Sequence, residues 1–172
     1  MIKRISLIVS FVLSFYFIDL AQCRPFIKAI APEQLKPYIL DGNFVAPVVY
    51  EGDKVYLTRT FLAGQHYKIM ILGMDIWQKK ITIKTQDGLV LFRNYNTYFH
   101  KDNCFFTDYQ GNKIPCLGSN YFEFVPKYTT KITISVKIER KAKSRRNRVR
   151  GCLGIVVGFL PSTRIHSDTS SK

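Results

Sequence analysis

The residues with the clearest chemical potential form a basic run over 137–150, between two apolar stretches. This run holds eight basic residues and one acidic residue. Clustered arginines bind phosphate and carboxylate groups in bidentate fashion, so the run is a candidate polyanion site. The candidate ligand residues are Arg140, Lys141, Lys143, Arg145, Arg146, Arg148 and Arg150. The alternative is a solvated, self-repelling hairpin loop that only protects a sheet edge from aggregation.

The charge of the whole chain points in the same direction. There are 26 Lys and Arg against 12 Asp and Glu, a formal net charge of +14. A strongly cationic protein favours anionic partners, here an anionic polysaccharide or a lipid surface, although the charge also serves solubility. We do not expect nucleic acid as the partner, because the basic run lacks the interleaved aromatic residues of a single-strand platform.

A second candidate binding stretch is rich in aromatic and amide side chains. Its members are Phe92, Asn94, Tyr95, Asn96, Tyr98, Phe99 and His100. Aromatic rings of this kind stack on sugars, whereas the simpler interpretation is a wide loop that packs over one end of the core.

Residues for catalysis or metal binding do not form a recognisable pattern. The histidines are His66, His100 and His166, and none stands beside a Gly-x-Ser-x-Gly nucleophile motif. Asp102, Asp108 and Glu123 are too few to indicate a general acid and base pair. No Cys-x-x-Cys spacing indicates a metal site, and no Walker loop indicates a nucleotide site. The sequence thus predicts no catalytic residue, no metal and no cofactor.

The N-terminal residues have the pattern of a secretory signal peptide. Two basic residues precede an uncharged apolar run over 5–18, and small residues lead to a cleavage position after Cys23. We therefore predict a signal peptide over 1–23 and a secreted or periplasmic protein of a bacterial envelope or medium. One alternative is an uncleaved anchor, although the run is shorter than the about 20 residues of a spanning helix. Another is lipid attachment at Cys23. Gln22 argues against it, because a lipobox has a small residue at the position before the cysteine.

The cysteines suggest one bridge in an oxidising compartment. Cys104 and Cys116 flank a polar, turn-rich segment and are the predicted disulfide pair. Cys152 lies in an apolar run, which is typical of a buried thiol. Cys23 is expected to leave with the signal peptide.

These candidate sites need a scaffold, and alternating apolar residues predict one built from strands. Residues 24–43 form an N-terminal segment with one short helical turn, 44–160 a single domain, and 161–172 a flexible polar tail. The predicted strands are 45–50, 54–61, 67–72, 80–85, 89–92, 121–125, 131–138 and 151–160. About seven or eight strands without a helical period indicate an all-β, jelly-roll-like antiparallel β-sandwich, with spacings that suit a meander. Gly154 and Gly158 indicate a close backbone approach or a bulge.

Several segments also carry a family resemblance. They are residues 32–38, 41–42, 61–69, 81–84, 87, 90–92 and 151–159. In them the chain resembles small exported proteins of Bacteroidota that have no assigned activity, and more distantly the prepeptidase C-terminal type of β-sandwich. The resemblance implies fold and export, and it implies no functional residues.

Three functions are consistent with these patterns. The first is an exported, non-catalytic binding or surface-interaction module. The second is an accessory structural subunit that meets an envelope protein through the edge formed by 80–92. The third is a small secreted hydrolase, which requires acidic or histidine side chains that converge in a cleft.

Overall fold

The computed structural model describes residues 23–76, 78–95, 105–140 and 149–161. Within these ranges there are one α-helix and eleven β-strands. In chain order they are α1 (Cys23–Leu35), β1 (Ile39–Leu40), β2 (Val48–Tyr50), β3 (Lys54–Phe61), β4 (Tyr67–Met74), β5 (Lys79–Thr85), β6 (Val90–Arg93), β7 (Phe105–Thr107), β8 (Lys113–Pro115), β9 (Tyr121–Phe124), β10 (Thr130–Ile138) and β11 (Arg150–Phe159).

Two antiparallel sheets make the body of the protein. A five-stranded sheet has the order β1-β11-β4-β9, with β2 also paired to β11, and a four-stranded sheet has the order β3-β10-β5-β6. Strands β7 and β8 form a separate hairpin. The all-β sandwich is confirmed. The short strands β1, β7 and β8 were not predicted, because two or three residues show too little alternation.

The predicted meander is wrong. Strands β3 and β4 follow each other in the chain but lie in different sheets. Strand β10 lies between β3 and β5 in its sheet, and β11 lies between β1 and β4 in the other. Alternation reveals which face of a strand is buried but not which strand lies beside it, so this order depends on long-range packing.

The main core fills the space between the sheets. On β10, Ile132, Ile134, Val136 and Ile138 are at most 3% exposed, as their alternation predicted. They pack with inward side chains of β4 and β11, such as Ile69. The opposite face of β10 consequently points away from the core.

Helix α1 covers the outer face of the five-stranded sheet. Ile27, Ala31 and Leu35, four residues apart, form a stripe that packs against Met70 and Val156. The prediction of a single helical turn is wrong, since the helix has 13 residues and includes Pro32. Burial of the stripe outweighs the hydrogen bond that the proline removes.

The predicted close approach at the glycines of β11 is confirmed. A Cβ atom on Gly154 would lie 2.7 Å from Ile27 Cδ1, and one on Gly158 would lie 2.7 Å from Tyr38 Cβ. The helix and the residues that follow it therefore pack directly on the backbone of β11 at these two glycines.

Replacing Gly154 with valine should lower the free energy of unfolding by about 1–3 kcal/mol, because overpacking pushes the helix off the sheet. Chemical denaturation measures the effect. The matched control is Gly42→Val at an exposed glycine with nothing within 4 Å of its added Cβ, where a change within about 0.5 kcal/mol is expected. Equal losses in the two variants would contradict the close-approach argument.

One disulfide joins the two ends of the domain. Cys23, the first residue of α1, is bonded to Cys152 of β11, and the two are separated by 129 positions. Both residues are at most 5% exposed. Cys152 is buried, as its apolar run predicted, but its sulfur forms a disulfide and is not a thiol.

The disulfide contradicts both predicted modifications of Cys23, cleavage after it and lipid attachment to it. Cleavage after Cys23 would remove one partner, and lipid attachment would use the same sulfur, so neither is compatible with this disulfide. Cleavage of the leader itself stays a prediction. Cys116 is also disulfide-bonded. Its predicted partner Cys104 lies outside the described residues, as do the signal segment 1–22 and the tail from 162 onward.

Across the described ranges, no helix has the length and apolar character needed to cross a membrane.

Candidate functional site

The outward face of the four-stranded sheet carries the most unusual arrangement of charge in the described part of the chain. Lys137 of β10 lies directly opposite Lys54 of β3 on one side and Lys80 of β5 on the other. Directly opposed residues in antiparallel strands have Cβ atoms about 4.5–5.5 Å apart, and like charges there are destabilising. Lys54 and Lys137 are therefore expected to repel each other in the unliganded protein.

Two further rows run parallel to the lysine row. In the next one, Ser135 lies opposite Tyr56 and Thr82, and Thr82 in turn lies opposite Arg93. In the third, Thr133 lies between Thr58 and Lys84. These residues alternate with the core residues of the same strands, so the face presents ammonium, guanidinium and hydroxyl donors.

The three rows line a shallow groove of about 520 Å³. Its lining residues are Lys54, Tyr56, Lys80, Thr82, Lys84, Arg93, Tyr95, Thr133, Ser135 and Lys137. Five of these residues are cationic and none is a carboxylate. We call this surface the basic face. The hydrolase hypothesis required converging acidic or histidine side chains, and this groove supplies none.

Glu139 at the end of β10 compensates one of the five charges. Its carboxylate lies 2.5 Å from Lys80 Nζ. The hydrogen bond and the charge of Glu139 raise the pKa of Lys80, so this ammonium stays charged. Among the described residues, no carboxylate lies in ion-pair range of Lys54, Lys84 or Lys137. These three lysines are the ones available to an incoming anion.

Tyr95 is fixed at the side of the groove by two neighbours. Its hydroxyl lies 2.9 Å from Thr82 Oγ1, and Lys80 Nζ lies 5.4 Å from its ring centroid. Of the aromatic and amide stretch, Phe92 and Asn94 are instead buried. The Asn94 side chain accepts a hydrogen bond from the Ile81 amide at 2.7 Å, so it holds the β5–β6 edge together. The other stretch members, Asn96, Tyr98, Phe99 and His100, lie outside the described residues.

The predicted basic run begins beside the lysine row. Lys137 belongs to the row, and Arg140 follows three residues later, exposed, with Arg150 exposed at the start of β11. The guanidinium of Arg140 lies over the turn at Gly52. The other candidates lie outside the described residues: Lys141, Lys143, Arg145, Arg146 and Arg148.

Sequence reasoning missed the basic face itself. The signal was present in the polar half of the alternating strands, for example Lys80, Thr82 and Lys84. Each strand alone shows an ordinary solvated face, and only the pairing of β3, β10 and β5 places their lysines side by side.

A second polar cluster lies on the other sheet, beneath α1 and the β7–β8 hairpin. Glu123 is 4% exposed and lies directly opposite Lys68, with Oε1 3.2 Å from Lys68 Nζ. It also accepts hydrogen bonds from the Tyr38 hydroxyl at 3.0 Å and the Tyr109 amide at 2.9 Å. Burial and the charge of Glu123 raise the pKa of Tyr38 far above its usual range, so its hydroxyl remains a donor. Because its partners are internal, this cluster fixes the fold.

The side chains that the structure describes include no group of three or more His, Cys, Asp or Glu placed to hold a metal ion.

Comparison with known proteins finds distant likenesses among solved structures. No protein-family model matches the chain, and no curated protein matches it. Among solved structures, the periplasmic inhibitor of g-type lysozyme PliG from Aeromonas hydrophila is similar with 15% identity and a TM-score of 0.43, over 73% of this chain and 90% of that chain. A structure of infectious bursal disease virus, Gx strain, is similar with 11% identity and a TM-score of 0.37, over 73% of this chain and 33% of that chain. Likenesses at this level assign no function, and the resemblance to exported Bacteroidota proteins stays a prediction.

Proposed function

We propose that the protein is an exported, non-catalytic binding module whose basic face holds an extended polyanion, with an anionic polysaccharide as the ligand class. The observation that carries this proposal is the lysine row in a groove without a carboxylate lining. An anion that binds between the opposed lysines of this face is stabilised twice, because it reduces the repulsion between the ammonium groups and is itself attracted to them.

The spread of cationic and hydroxyl donors over the whole basic face favours a polymer as the ligand over a small molecule. Cationic groups occur in all three rows, from Lys54 at one corner to Lys84 in the third row and Arg93 on the edge strand. Hydroxyl groups stand between them, which suits sulfate or carboxylate groups spaced along a polymer. Tyr56, 56% exposed, and Tyr95 offer ring faces to sugar units.

Export and the basic run extend the same proposal. The signal pattern and the disulfides are consistent with an oxidising compartment outside the cytoplasm. The basic run follows β10, whose Lys137 belongs to the lysine row, so its arginines are proposed to lengthen the contact with the polymer.

Binding of heparin, as a defined sulfated probe, tests this function. Replacing Lys54, Lys84 and Lys137 with glutamine should weaken heparin binding about 100-fold at low salt, since each cation near an anionic surface contributes about 1 kcal/mol. The dependence of the dissociation constant on salt should also become shallower. Isothermal titration calorimetry over a series of salt concentrations measures both quantities.

A matched variant separates this site from overall charge. Lys28, Lys36 and Lys113 are exposed lysines away from the groove, and their replacement with glutamine removes the same net charge. This control should retain nearly all of the heparin affinity. If both triple variants lost affinity equally, binding would reflect net charge alone and the proposed site would be wrong. The basic-face variant should melt no lower than the wild type, because it removes repulsion.

The strand order also favours an accessory structural role as a second candidate. Strand β6 is an edge of the four-stranded sheet, within the 80–92 segment expected to meet a partner. Pull-down from envelope fractions tests this role, with Leu91→Pro on this edge strand as the variant expected to lose the partner.

A further inference from the structure

One end of the sandwich exposes a group of large apolar side chains. Leu62 is 59% exposed, Leu89 61%, Val125 44% and Tyr128 80%. We call this group the apolar end. Single exposed apolar residues are ordinary, whereas several on adjacent loops mark an interaction surface.

Strand pairing brings these loops to the same end. Strand β3 ends at Phe61 opposite Thr130, where β10 begins. Strand β9 ends at Phe124 opposite Tyr67, where β4 begins. The β5–β6 turn follows Thr85, which lies opposite Ile132 near the start of β10. The loops after β3, β5 and β9 therefore leave the sandwich in one direction.

Hydrogen bonds hold two of these loops together. The Gly64 amide donates to the Pro126 carbonyl at 2.8 Å, and the Ala63 amide donates to Thr129 Oγ1 at 3.2 Å. The Leu62 amide donates to the Tyr67 hydroxyl at 3.1 Å. Leu62, Val125 and Tyr128 are thus displayed on an ordered support, and binding through them costs little conformational entropy.

The charges around the apolar end are mainly positive. Lys127 adjoins Tyr128, and Lys131 is exposed where β10 starts. Asp41 lies farther from this end, where its amide bonds to the Val157 carbonyl, and its carboxylate is paired with Arg59 at 2.7 Å. The loops 62–66, 86–89 and 125–129 contain one carboxylate, Asp87. Tyrosine and lysine side chains suit a membrane interface, where the apolar part is buried and the polar tip meets water or headgroups.

We propose that the apolar end is a contact surface for an anionic lipid bilayer, into which the tips at Leu62, Val125 and Tyr128 insert while Lys127 and Lys131 meet the headgroups. A lipid surface fits better than a protein because the apolar groups stand on separate loop tips and the surrounding charge complements anionic headgroups. This surface lies at the loop end and uses none of the residues that line the basic face, so the two proposals are independent.

Vesicle flotation tests the proposal. The wild type should bind phosphatidylcholine vesicles that contain about one third phosphatidylglycerol and bind pure phosphatidylcholine vesicles at least about tenfold more weakly. The variant Leu62→Ser, Val125→Ser, Tyr128→Ser should lose about tenfold or more of the binding to the mixed vesicles. Leu117→Ser is the matched control, because Leu117 is 64% exposed in the turn before β9, at the opposite end of that strand from Val125. It should bind like the wild type.

A positional probe separates insertion from charge adsorption. Tyr128→Trp should add fluorescence that shifts to the blue on the mixed vesicles and is quenched by brominated acyl chains, whereas Leu117→Trp should not. Absence of wild-type binding, equal binding by the serine triple variant, or an unquenched tryptophan at 128 would each overturn the proposal. Loss of vesicle binding in the Lys54, Lys84, Lys137 variant with the serine variant unaffected would assign the interaction to the basic face instead.

Discussion

Replacing Cys23 and Cys152 together with alanine is expected to lower the free energy of unfolding by about 3–5 kcal/mol. The bond closes a loop of 129 positions, and in the chain-entropy model a longer loop constrains the unfolded chain more strongly. It also fixes the first residue of α1 to β11, so its removal should destabilise the helix more than the sheets. Urea denaturation measures the free energy, and amide hydrogen exchange over residues 24–30 should accelerate most.

The single variants supply the control for this experiment. Cys23→Ala and Cys152→Ala each break the same bond, so each should cost nearly as much as the double variant. Additive losses would show that the two side chains act through packing rather than through the disulfide. The intact mass of the exported protein should include Cys23 and rise on reduction, and a mature chain that starts at Arg24 would contradict the bond.

Replacing Glu123 with alanine is the second change with a large expected effect, a loss of about 3–5 kcal/mol in the free energy of unfolding. The substitution leaves the Lys68 ammonium buried without its carboxylate and removes the acceptor of the Tyr38 hydroxyl and the Tyr109 amide. The Lys68 ammonium group cannot readily reach solvent, since its side chain is 12% exposed and its Nζ lies 4.7 Å from the Tyr121 ring centroid. Thermal and chemical denaturation measure the loss.

A double variant distinguishes the charge from the packing. Glu123→Leu combined with Lys68→Met replaces the buried ion pair with apolar groups of similar size, and it should restore most of the lost stability. A double variant as unstable as Glu123→Ala would mean that the other hydrogen bonds to Glu123, rather than the unpaired lysine, account for the loss. Heparin binding of both variants should match the wild type, because this cluster lies on the other sheet.

Much of the scaffold was predictable because strand alternation is a local property. Ile132, Ile134 and Val136 occupy every second position, so they indicate both a strand and its buried face before any partner is known. The glycines of β11 also signalled a close approach. The helix was underestimated because the predicted turn was placed between Pro32 and Pro37, whereas most of the helix precedes Pro32, and its stripe of Ile27, Ala31 and Leu35 stabilises a helix only when it packs on a sheet.

The candidate site was only partly predictable. The basic run was visible as a local cluster of charge, and Lys137 stands at its edge. Lys54 and Lys80 gave no such signal, since each lies among polar residues of an ordinary solvated strand face. Their adjacency to Lys137 depends on β10 entering between β3 and β5.

The sequence by itself determined the cationic character of the chain, the longer strands and, where residues alternate as in β10, the face that is buried, because these follow from composition and a period of two residues. Only the tertiary structure decided that Cys23 pairs with Cys152, that the lysines of three strands stand in one row, and that the loops after β3, β5 and β9 meet at one end. Those features join residues far apart in the chain, and long-range packing of the sheets brings them together.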